Sequence, residues 1–430
     1  MTAIFTGLGA GLVRSSAATL GGAGVLGSAS LGRGGEGISV NAATGNLVVS
    51  QQDEFLTGRG LDVAVGRTYN SLAETSDRDN NDKWQMSTVR RVLGLTGTLN
   101  TAGSTVQRLS GDGSLVTYTY STRLVNGSNV SAYWATAGDG AHEKLVKSGS
   151  NWVWTDGASQ VTETYSEFVA GSGEFRIVNQ LDTDGYGLSY SYKAGTDLLD
   201  KVTTANGEWV QYVWSTTSPT QITQLLTGTG ATTQTRTRYG YDGQGRLHTV
   251  PVDYSAADNS TAGGQYYATY NTYGTNGLLA TVTQSDGSRI DISYDASGRV
   301  IYLSQSVSAS ESRNTTIPYG TNFTTILAPD GQTTRLDYDP NKQLTKITAP
   351  PAVAGAAAQV VQYVYDTDGN LTKVIGADLK ETNYTYDAQG NVDTATDANT
   401  NSVKRWYDSG NRVTAMRSYG ANGVEYARYA

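Results

Sequence analysis

Apolar and polar residues alternate with a period of two through most of this chain. Clear runs of this kind cover residues 61–69, 114–120, 151–155 and 188–192. Every second position in them is apolar or aromatic, as expected for a β-strand with one buried face. Because such runs recur without intervening helical periods, the pattern predicts an all-β fold. The Ala-rich residues 352–359 are the one stretch that favours a short helix.

Turn signals divide these runs. Residues 38–50 are typical of strand, turn and strand, because Thr44-Gly45-Asn46 tolerates positive φ. The character of the chain changes along its length, and we expect three parts. These are a Gly/Ala-rich flexible leader over 1–35, an irregular β-rich region over 36–230, and a repetitive sheet over 231–430.

The chain is self-similar from about residue 239. The unit is Tyr-Asp-x-x-Gly-Asn/Arg-Leu/Val. Clean copies begin at Tyr241, Tyr294, Tyr365 and Tyr386, and the copy at Tyr407 has Asn in place of Gly. A degenerate copy occupies 338–344, and the copies that begin at residues 365, 386 and 407 are spaced by 21 residues.

Each position of the unit has a structural role. Tyr ends a strand, Asp accepts backbone N–H groups in the turn, Gly supplies positive φ, and Leu or Val starts the next strand on the buried face. Lys342 stands at the Gly position of the degenerate copy, so we expect a different turn there. The predicted turn residues are Tyr241, Asp242, Gly245, Tyr294, Asp295, Gly298, Tyr365, Asp366, Gly369, Tyr386, Asp387, Gly390, Tyr407 and Asp408.

Twenty-one residues accommodate two strands of about 6–8 residues and two turns, so each unit is one hairpin that cannot bury its apolar face alone. The copies resemble the YD repeats of bacterial Rhs proteins, of toxin-complex C components and of the teneurins. Residues 40–47, 58–61 and 67–71 resemble the stretch that precedes the repeats in large bacterial members. The resemblance covers residues 36–430. It implies a spiral β-sheet of stacked hairpins, a partial Rhs shell or cocoon that often encloses a toxic C-terminal domain.

Composition narrows the function classes. The net charge is −8 without a Lys/Arg-rich run, so we expect no nucleic-acid partner. The absence of Cys excludes disulfides and thiolate sites. The apolar stretch 7–31 is too weak to span a bilayer or to act as a Sec signal, which predicts secretion or surface display by a non-Sec route. Tyr outnumbers Phe by 28 to 5, as suits a sheet with one wet side.

Motifs for catalysis or metal binding are weak. The sequence has no Gly-x-Ser-x-Gly, no His-Glu-x-x-His and no Gly-Lys phosphate loop. His142 lacks a marked nucleophile, His248 follows a repeat turn, and 22–27 matches Gly-x-Gly-x-x-Gly without a βαβ context. The acidic runs 77–82 and 182–185 resemble parts of calcium loops but are better explained as Asx-rich turns. We therefore expect no enzymatic activity, no metal and no cofactor.

Trp152 and Trp154 form a candidate sugar-stacking surface, although cross-strand aromatic pairing explains them better. The sequence favours a shell or scaffold that encapsulates a C-terminal toxin and helps to deliver it in interbacterial competition. Its expected partners are a C-terminal effector of the same polypeptide or further YD repeats. The alternative is an extracellular adhesin or matrix scaffold that binds glycans or self-associates. An enzyme such as a glycosidase is the weakest hypothesis, because no carboxylate pair is marked.

Overall fold

The described residues form two β-sheets. The computed structural model describes residues 3–5, 30–31, 36–73, 82–111, 113–125, 128–135, 143–157, 159–217, 220–230, 232–254, 266–308, 310–367, 369–387, 390–408 and 412–429. All regular structure in these ranges is β, as the alternating pattern predicts. The expected helix over 352–359 is wrong, because residues 352–356 form turns and bends and residue 359 begins a strand.

The first sheet, here called the N-terminal sheet, contains six strands in the described residues. Its strands are β1 (Ala3–Phe5), β2 (Ser30–Leu31), β3 (Glu36–Asn41), β4 (Leu47–Leu56), β5 (Val63–Asn70) and β6 (Trp84–Met86). The strand–turn–strand predicted over 38–50 is β3 and β4, which pair antiparallel. Its core is aliphatic, and Val40, Leu47 and Val65 are fully buried.

The second sheet, here called the repeat sheet, is a long antiparallel meander whose described strands begin at residue 91 and end at residue 429. Its first strands are β7 (Arg91–Thr96), β8 (Thr105–Leu109), β9 (Leu115–Val125), β10 (Ser128–Ala135), β11 (Lys144–Ser148), β12 (Asn151–Thr155), β13 (Thr162–Glu167), β14 (Phe175–Leu181), β15 (Gly187–Tyr192), β16 (Leu199–Thr204), β17 (Glu208–Trp214), β18 (Ile222–Thr229), β19 (Thr232–Arg238), β20 (Gly240–Tyr241), β21 (Leu247–Asp253) and β22 (Tyr266–Tyr273). It continues with β23 (Leu279–Gln284), β24 (Arg289–Tyr294), β25 (Val300–Ser306), β26 (Ser312–Thr316), β27 (Tyr319–Gly320), β28 (Phe323–Leu327), β29 (Thr333–Tyr338), β30 (Leu344–Ala349), β31 (Gln359–Tyr365), β32 (Leu371–Ile375), β33 (Glu381–Tyr386), β34 (Val392–Thr396), β35 (Ser402–Tyr407), β36 (Val413–Tyr419) and β37 (Glu425–Tyr429).

The start of the repeat sheet closes on itself. Strands β7 to β14 pair in chain order, and β14 then pairs back with β7 through Phe175 with Val92 and Arg176 with Arg91. Farther along the same edge, β14 pairs with β15, where Asn179 lies opposite Ser189. The result is a ring of eight strands, the closed ring, and the later hairpins continue the sheet from β14 through β15.

A β-bulge precedes the tyrosine of each repeat. The pairing register shifts immediately before Tyr294, Tyr365, Tyr386 and Tyr407, among others. A bulge inserts one extra residue into a strand and increases its right-handed twist. Because the bulge recurs once per hairpin, it adds twist to the sheet at every repeat and favours a coiled sheet over a flat one.

Candidate functional site

The repeat turns share one backbone geometry. In the copy at Tyr365, the Asp366 N–H donates to the Asn370 carbonyl at 3.0 Å, and the Gly369 N–H donates to the Asp366 carbonyl at 3.2 Å. The same pair of bonds closes the turns that start at Asp242, Asp295 and Asp387. Positive φ of 76–87° is observed at the predicted glycines Gly245, Gly298, Gly369 and Gly390.

The aspartate of each turn caps it with both carboxylate oxygens. Asp295 Oδ1 accepts the N–H groups of Ser297 and Arg299 at 2.9 and 3.0 Å, and its Oδ2 accepts Arg299 Nε at 2.7 Å. Asn370 donates its side chain to Asp366 in the same way, and Arg412 does so to Asp408. This explains why the sixth position of the unit is Asn or Arg, since both side chains carry an N–H donor.

The degenerate copy forms the same turn, so the prediction of a different one is wrong. Lys342 has a φ of 64°, and its N–H donates to the Asp339 carbonyl at 3.0 Å. Asp339 Oδ1 accepts the Gln343 N–H at 2.8 Å. The hydrogen bonds of the turn outweigh the left-handed penalty of about 1–2 kcal/mol for a residue with a Cβ.

Most repeat tyrosines tie their hairpin to an earlier one, and Tyr338 of the degenerate copy does not, because its buried hydroxyl has no hydrogen-bond partner among the described residues. We call the Leu or Val that follows each turn the strand-start residue. The Tyr386 hydroxyl donates to the carbonyl of the strand-start residue Leu371 at 2.6 Å, and the Tyr407 hydroxyl does so to Val392 at 2.9 Å. Five other tyrosines make equivalent bonds to earlier strand starts or strand residues, namely Tyr241, Tyr273, Tyr294, Tyr319 and Tyr365.

Two further copies of the repeat lack the Asp of the Tyr-Asp pattern. Residues 273–279 and 419–425 carry Gly in place of Asp, and both form the same backbone turn. Asn276 Oδ1 accepts the Leu278 N–H at 3.0 Å, and Asn422 Oδ1 accepts the Val424 N–H at 3.0 Å. Asn therefore replaces the capping Asp, and the pattern Tyr-Gly-x-Asn-Gly is the signal that identifies these copies.

The N-terminal sheet docks on the strand-start residues. The Val300 N–H donates to the Gly45 carbonyl at 2.9 Å, and the Leu279 N–H donates to the Tyr69 hydroxyl at 2.9 Å. The Leu247 N–H donates to Asp82 Oδ2 at 2.7 Å. The same motif position thus contacts the N-terminal sheet in three successive hairpins. These contacts define the inner face of the repeat sheet as the side that carries the strand-start residues.

A buried ionic network reinforces this docking. Arg67, which is 2% exposed, pairs with Asp53 and with Glu36 Oε1, the latter at 2.5 Å. From the repeat sheet, the Tyr239 hydroxyl donates to Asp53 Oδ2 at 2.7 Å and Gln284 Nε2 donates to Glu36 Oε2 at 2.6 Å. Buried charges that are paired and hydrogen-bonded fix the relative position of two elements, because any shift would leave a charge without its partner.

The inner face is buried at one end of the repeat sheet and becomes exposed towards the other end. The strand-start residues Leu247 and Leu344 are 4% and 0% exposed. Leu371 and Val392 are only half-buried, and Val413 is 55% exposed. The repeat sequence is the same in both parts, so the difference reflects what lies against the face. The inner face of β32–β36 is a half-covered apolar surface in this structure.

Trp152 and Trp154 lie inside the closed ring. They are 1% and 6% exposed. The Trp152 ring packs edge-to-face on Tyr133 with a centroid distance of 5.2 Å, and Arg108 lies 3.7 Å above the Trp154 ring. Neither indole has an exposed face on which a sugar could stack, so the structure gives the glycan-binding surface no support.

The remaining chemical candidates have structural roles or lie outside the described residues. Asp182 Oδ1 caps its own turn by accepting the Asp184 N–H, and His248 Nδ1 lies 2.7 Å from the Asn271 carbonyl. His142 and residues 22–27 and 77–81 lie outside the described residues. Within the ranges described above, no group of three His, Cys, Asp or Glu side chains could hold a metal ion. The same ranges contain no helix of the length and hydrophobicity needed to cross a bilayer.

A comparison with known protein families matches part of the repeat sheet. Residues 333–426, from β29 into β37, match the family described as Teneurin YD-shell. This match confirms the predicted relationship to the Rhs/YD-repeat family for that segment. No curated protein sequence matches the chain significantly.

Solved structures with detectable similarity include toxin complexes. A crystal structure of TcdB2–TccC3 without its hypervariable C-terminal region is 12% identical, with a TM-score of 0.43, over 88% of this chain and 25% of that one. The TcdB2–TccC3–Cdc42 crystal structure and the Photorhabdus luminescens Tc holotoxin pore each have 12% identity and a TM-score of 0.40. The chain spans about a quarter of the length of these structures.

Proposed function

We propose that this chain forms part of the wall of a YD-repeat shell that encloses a C-terminal toxin and helps to deliver it in interbacterial competition. The observation that carries the proposal is the loss of cover along the inner face. The N-terminal sheet occupies that face at β21, β23 and β25. The same apolar positions are half-buried or exposed at β32, β34 and β36.

A polypeptide against the uncovered face is the occupant that its chemistry favours. Leu371, Val374 and Val392 present half-buried apolar surface, and burial of such a side chain contributes at most about 1.5–3 kcal/mol. Docking at the covered end uses both apolar packing and backbone hydrogen bonds, and a cargo segment of the same polypeptide offers both. In the proposed role the protein acts outside the producing cell and leaves it by a non-Sec route.

Cysteine labelling tests this proposal, because the chain has no cysteine of its own. The variant Val413→Cys places one thiol on the exposed inner face. We expect rapid reaction with a maleimide in the isolated chain. In the chain followed by the polypeptide encoded directly downstream, the reaction should be slower by about tenfold or more, because a buried thiol is inaccessible.

Val353→Cys is the matched control. Val353 is 68% exposed in a loop between β30 and β31, so its labelling rate should be the same in both proteins. Equal rates at Val413→Cys with and without the downstream polypeptide would argue against an enclosed cargo at this face.

A further inference from the structure

The closure of the ring creates a fork in the repeat sheet. One edge of β14 pairs with β7 at Phe175 and Arg176 and with β15 from Asn179 onward. Because β7 and β15 pair with different parts of the same edge of β14, these two strands diverge and leave space between them. A cavity of about 180 Å³ lies at this position, between the start of β7 and the ends of β15 and β17. We call it the fork cavity.

One side of the fork cavity is apolar and the other is basic. Val89, Leu199 and Trp214 contribute apolar surface, and Arg91 and Arg176 contribute guanidinium groups. The Arg176 guanidinium lies 3.8 Å from the ring centroid of Tyr192, which holds it in place. Its side chain remains 20% exposed, so the cavity is accessible from solvent.

The arginines of the cavity share one carboxylate. Asp197 Oδ2 lies 2.5 Å from Arg91 Nη1, and Asp197 Oδ1 lies 3.7 Å from Arg176 Nη1. Arg91 is 9% exposed, and its Nε is buried without a hydrogen-bond partner. A buried N–H donor that lacks an acceptor is rare in folded proteins and marks a place where an acceptor is missing.

The residues behind the fork cavity do not supply the missing negative charge. Arg90, which also lines the cavity, shares the carboxylate of Glu163 with Arg108. Among the described residues, the ion pairs of these four arginines involve two carboxylates only. The four arginines therefore outnumber by two the carboxylates with which they form these ion pairs, in a chain whose net charge is −8.

We propose that the fork cavity binds a small organic oxyanion, a carboxylate or phosphate group carried on an apolar or aromatic body. The oxyanion accepts hydrogen bonds from Arg91 and Arg176, because guanidinium groups match the geometry of carboxylates and phosphates. The apolar body packs on Leu199 and Trp214. The site is separate from the inner face of β32–β36, so it does not depend on the proposed shell function.

Calorimetry with three matched probes tests this site. Benzoate, phenyl phosphate and neutral benzamide are titrated into the 430-residue chain. We expect saturable binding of benzoate or phenyl phosphate at one site per chain, and the stronger of the two identifies the oxyanion. Benzamide should bind at least about tenfold more weakly, because its neutral amide cannot form an ion pair with the arginines.

Two variants assign the binding to the cavity. Arg176→Met removes the guanidinium but keeps a long unbranched side chain at this position, and it should weaken oxyanion binding by about tenfold or more. Val89→Trp keeps every arginine and fills the cavity, so it should weaken the binding of all three probes. Arg335→Met is the control, since the Arg335 side chain is 46% exposed and distant in the fold, and it should bind like the wild type.

Three results would overturn the assignment. These are equal affinity for benzoate, phenyl phosphate and benzamide, oxyanion binding that both cavity variants leave unchanged, and no saturable binding of any probe up to about 10 mM.

Discussion

The repeat tyrosine acts through its hydroxyl as well as its ring. In the copies at Tyr294, Tyr365, Tyr386 and Tyr407 the ring follows a bulge, and the hydroxyl reaches the carbonyl of the strand-start residue in the preceding hairpin. A buried carbonyl that is satisfied by a side chain of the next hairpin makes successive hairpins interdependent. This accounts for Tyr in place of Phe at the position, because only Tyr carries the donor.

Tyr365→Phe tests this role. The variant removes the hydroxyl that donates to the Leu344 carbonyl at 2.8 Å, and Leu344 is fully buried. We expect a decrease in the free energy of unfolding of about 1 kcal/mol, measured by urea denaturation. Tyr426→Phe, at a tyrosine that is 67% exposed, should have no measurable effect. Equal effects at both positions would show that the tie does not contribute to stability.

Lys342 provides a second test at the scale of one residue. Its φ of 64° carries a penalty that glycine avoids. Lys342→Gly should stabilise the protein by up to about 1 kcal/mol, because relief of about 1–2 kcal/mol of strain exceeds the entropic cost of glycine. Gly369→Ala, at a φ of 87°, should destabilise it by a comparable amount. Urea denaturation midpoints measure both, and a destabilising Lys342→Gly would contradict the geometry.

At the scale of elements, the closed ring contains a buried ionic cluster. Glu163 is enclosed by Arg90 and Arg108, with Arg108 Nη2 at 2.6 Å, and it accepts the Tyr165 hydroxyl. Burial alone would raise the pKa of Glu163, but Arg108 and Arg90 lower it from 4.5 to about 2. The cluster joins β8 and β13 to the segment that leads into β7, and so supports the closure of the ring.

Glu163→Gln should destabilise the protein at pH 7 by about 3–5 kcal/mol, because it leaves the buried Arg108 and the half-buried Arg90 without their carboxylate. The folded-state pKa lies below the unfolded value, so the contribution of Glu163 is complete above pH 4.5. It is lost as the pH falls towards 2. The stability difference between wild type and variant should therefore shrink over this range. Glu381→Gln, in an exposed pair with Lys373, is the control, and a pH-independent difference would contradict the assigned pKa.

Local sequence predicted most of the strands and the chemistry of the repeat turns. Period-two alternation identified β5, β12 and β15, because each buries one face against the core. It failed at Lys342, where the turn hydrogen bonds override a residue preference, and at residues 273–279, where Asn276 takes over the role of Asp. Both failures arise because several residues contribute to one turn and a motif records only the commonest combination.

At the scale of the whole molecule, the long-range contacts were not predictable from local patterns. Gly45 touches Arg299 so closely that a Cβ there would lie 2.3 Å from the Arg299 Cβ, yet the two are 254 residues apart in sequence, as their numbers show. The return of β14 to β7 is likewise set by the accumulated twist of eight strands. The three-part division at residues 35 and 230 stays a prediction.

The central claim is that the repeat sheet curls around polypeptide, and an electron cryo-microscopy map tests it most directly. The specimen is this chain together with the polypeptide encoded downstream of it. We expect a curved wall with the N-terminal sheet at one end of its inner face and further polypeptide density against Leu371, Val392 and Val413. A straight, uncurled sheet with solvent on both faces of β32–β36 would contradict it.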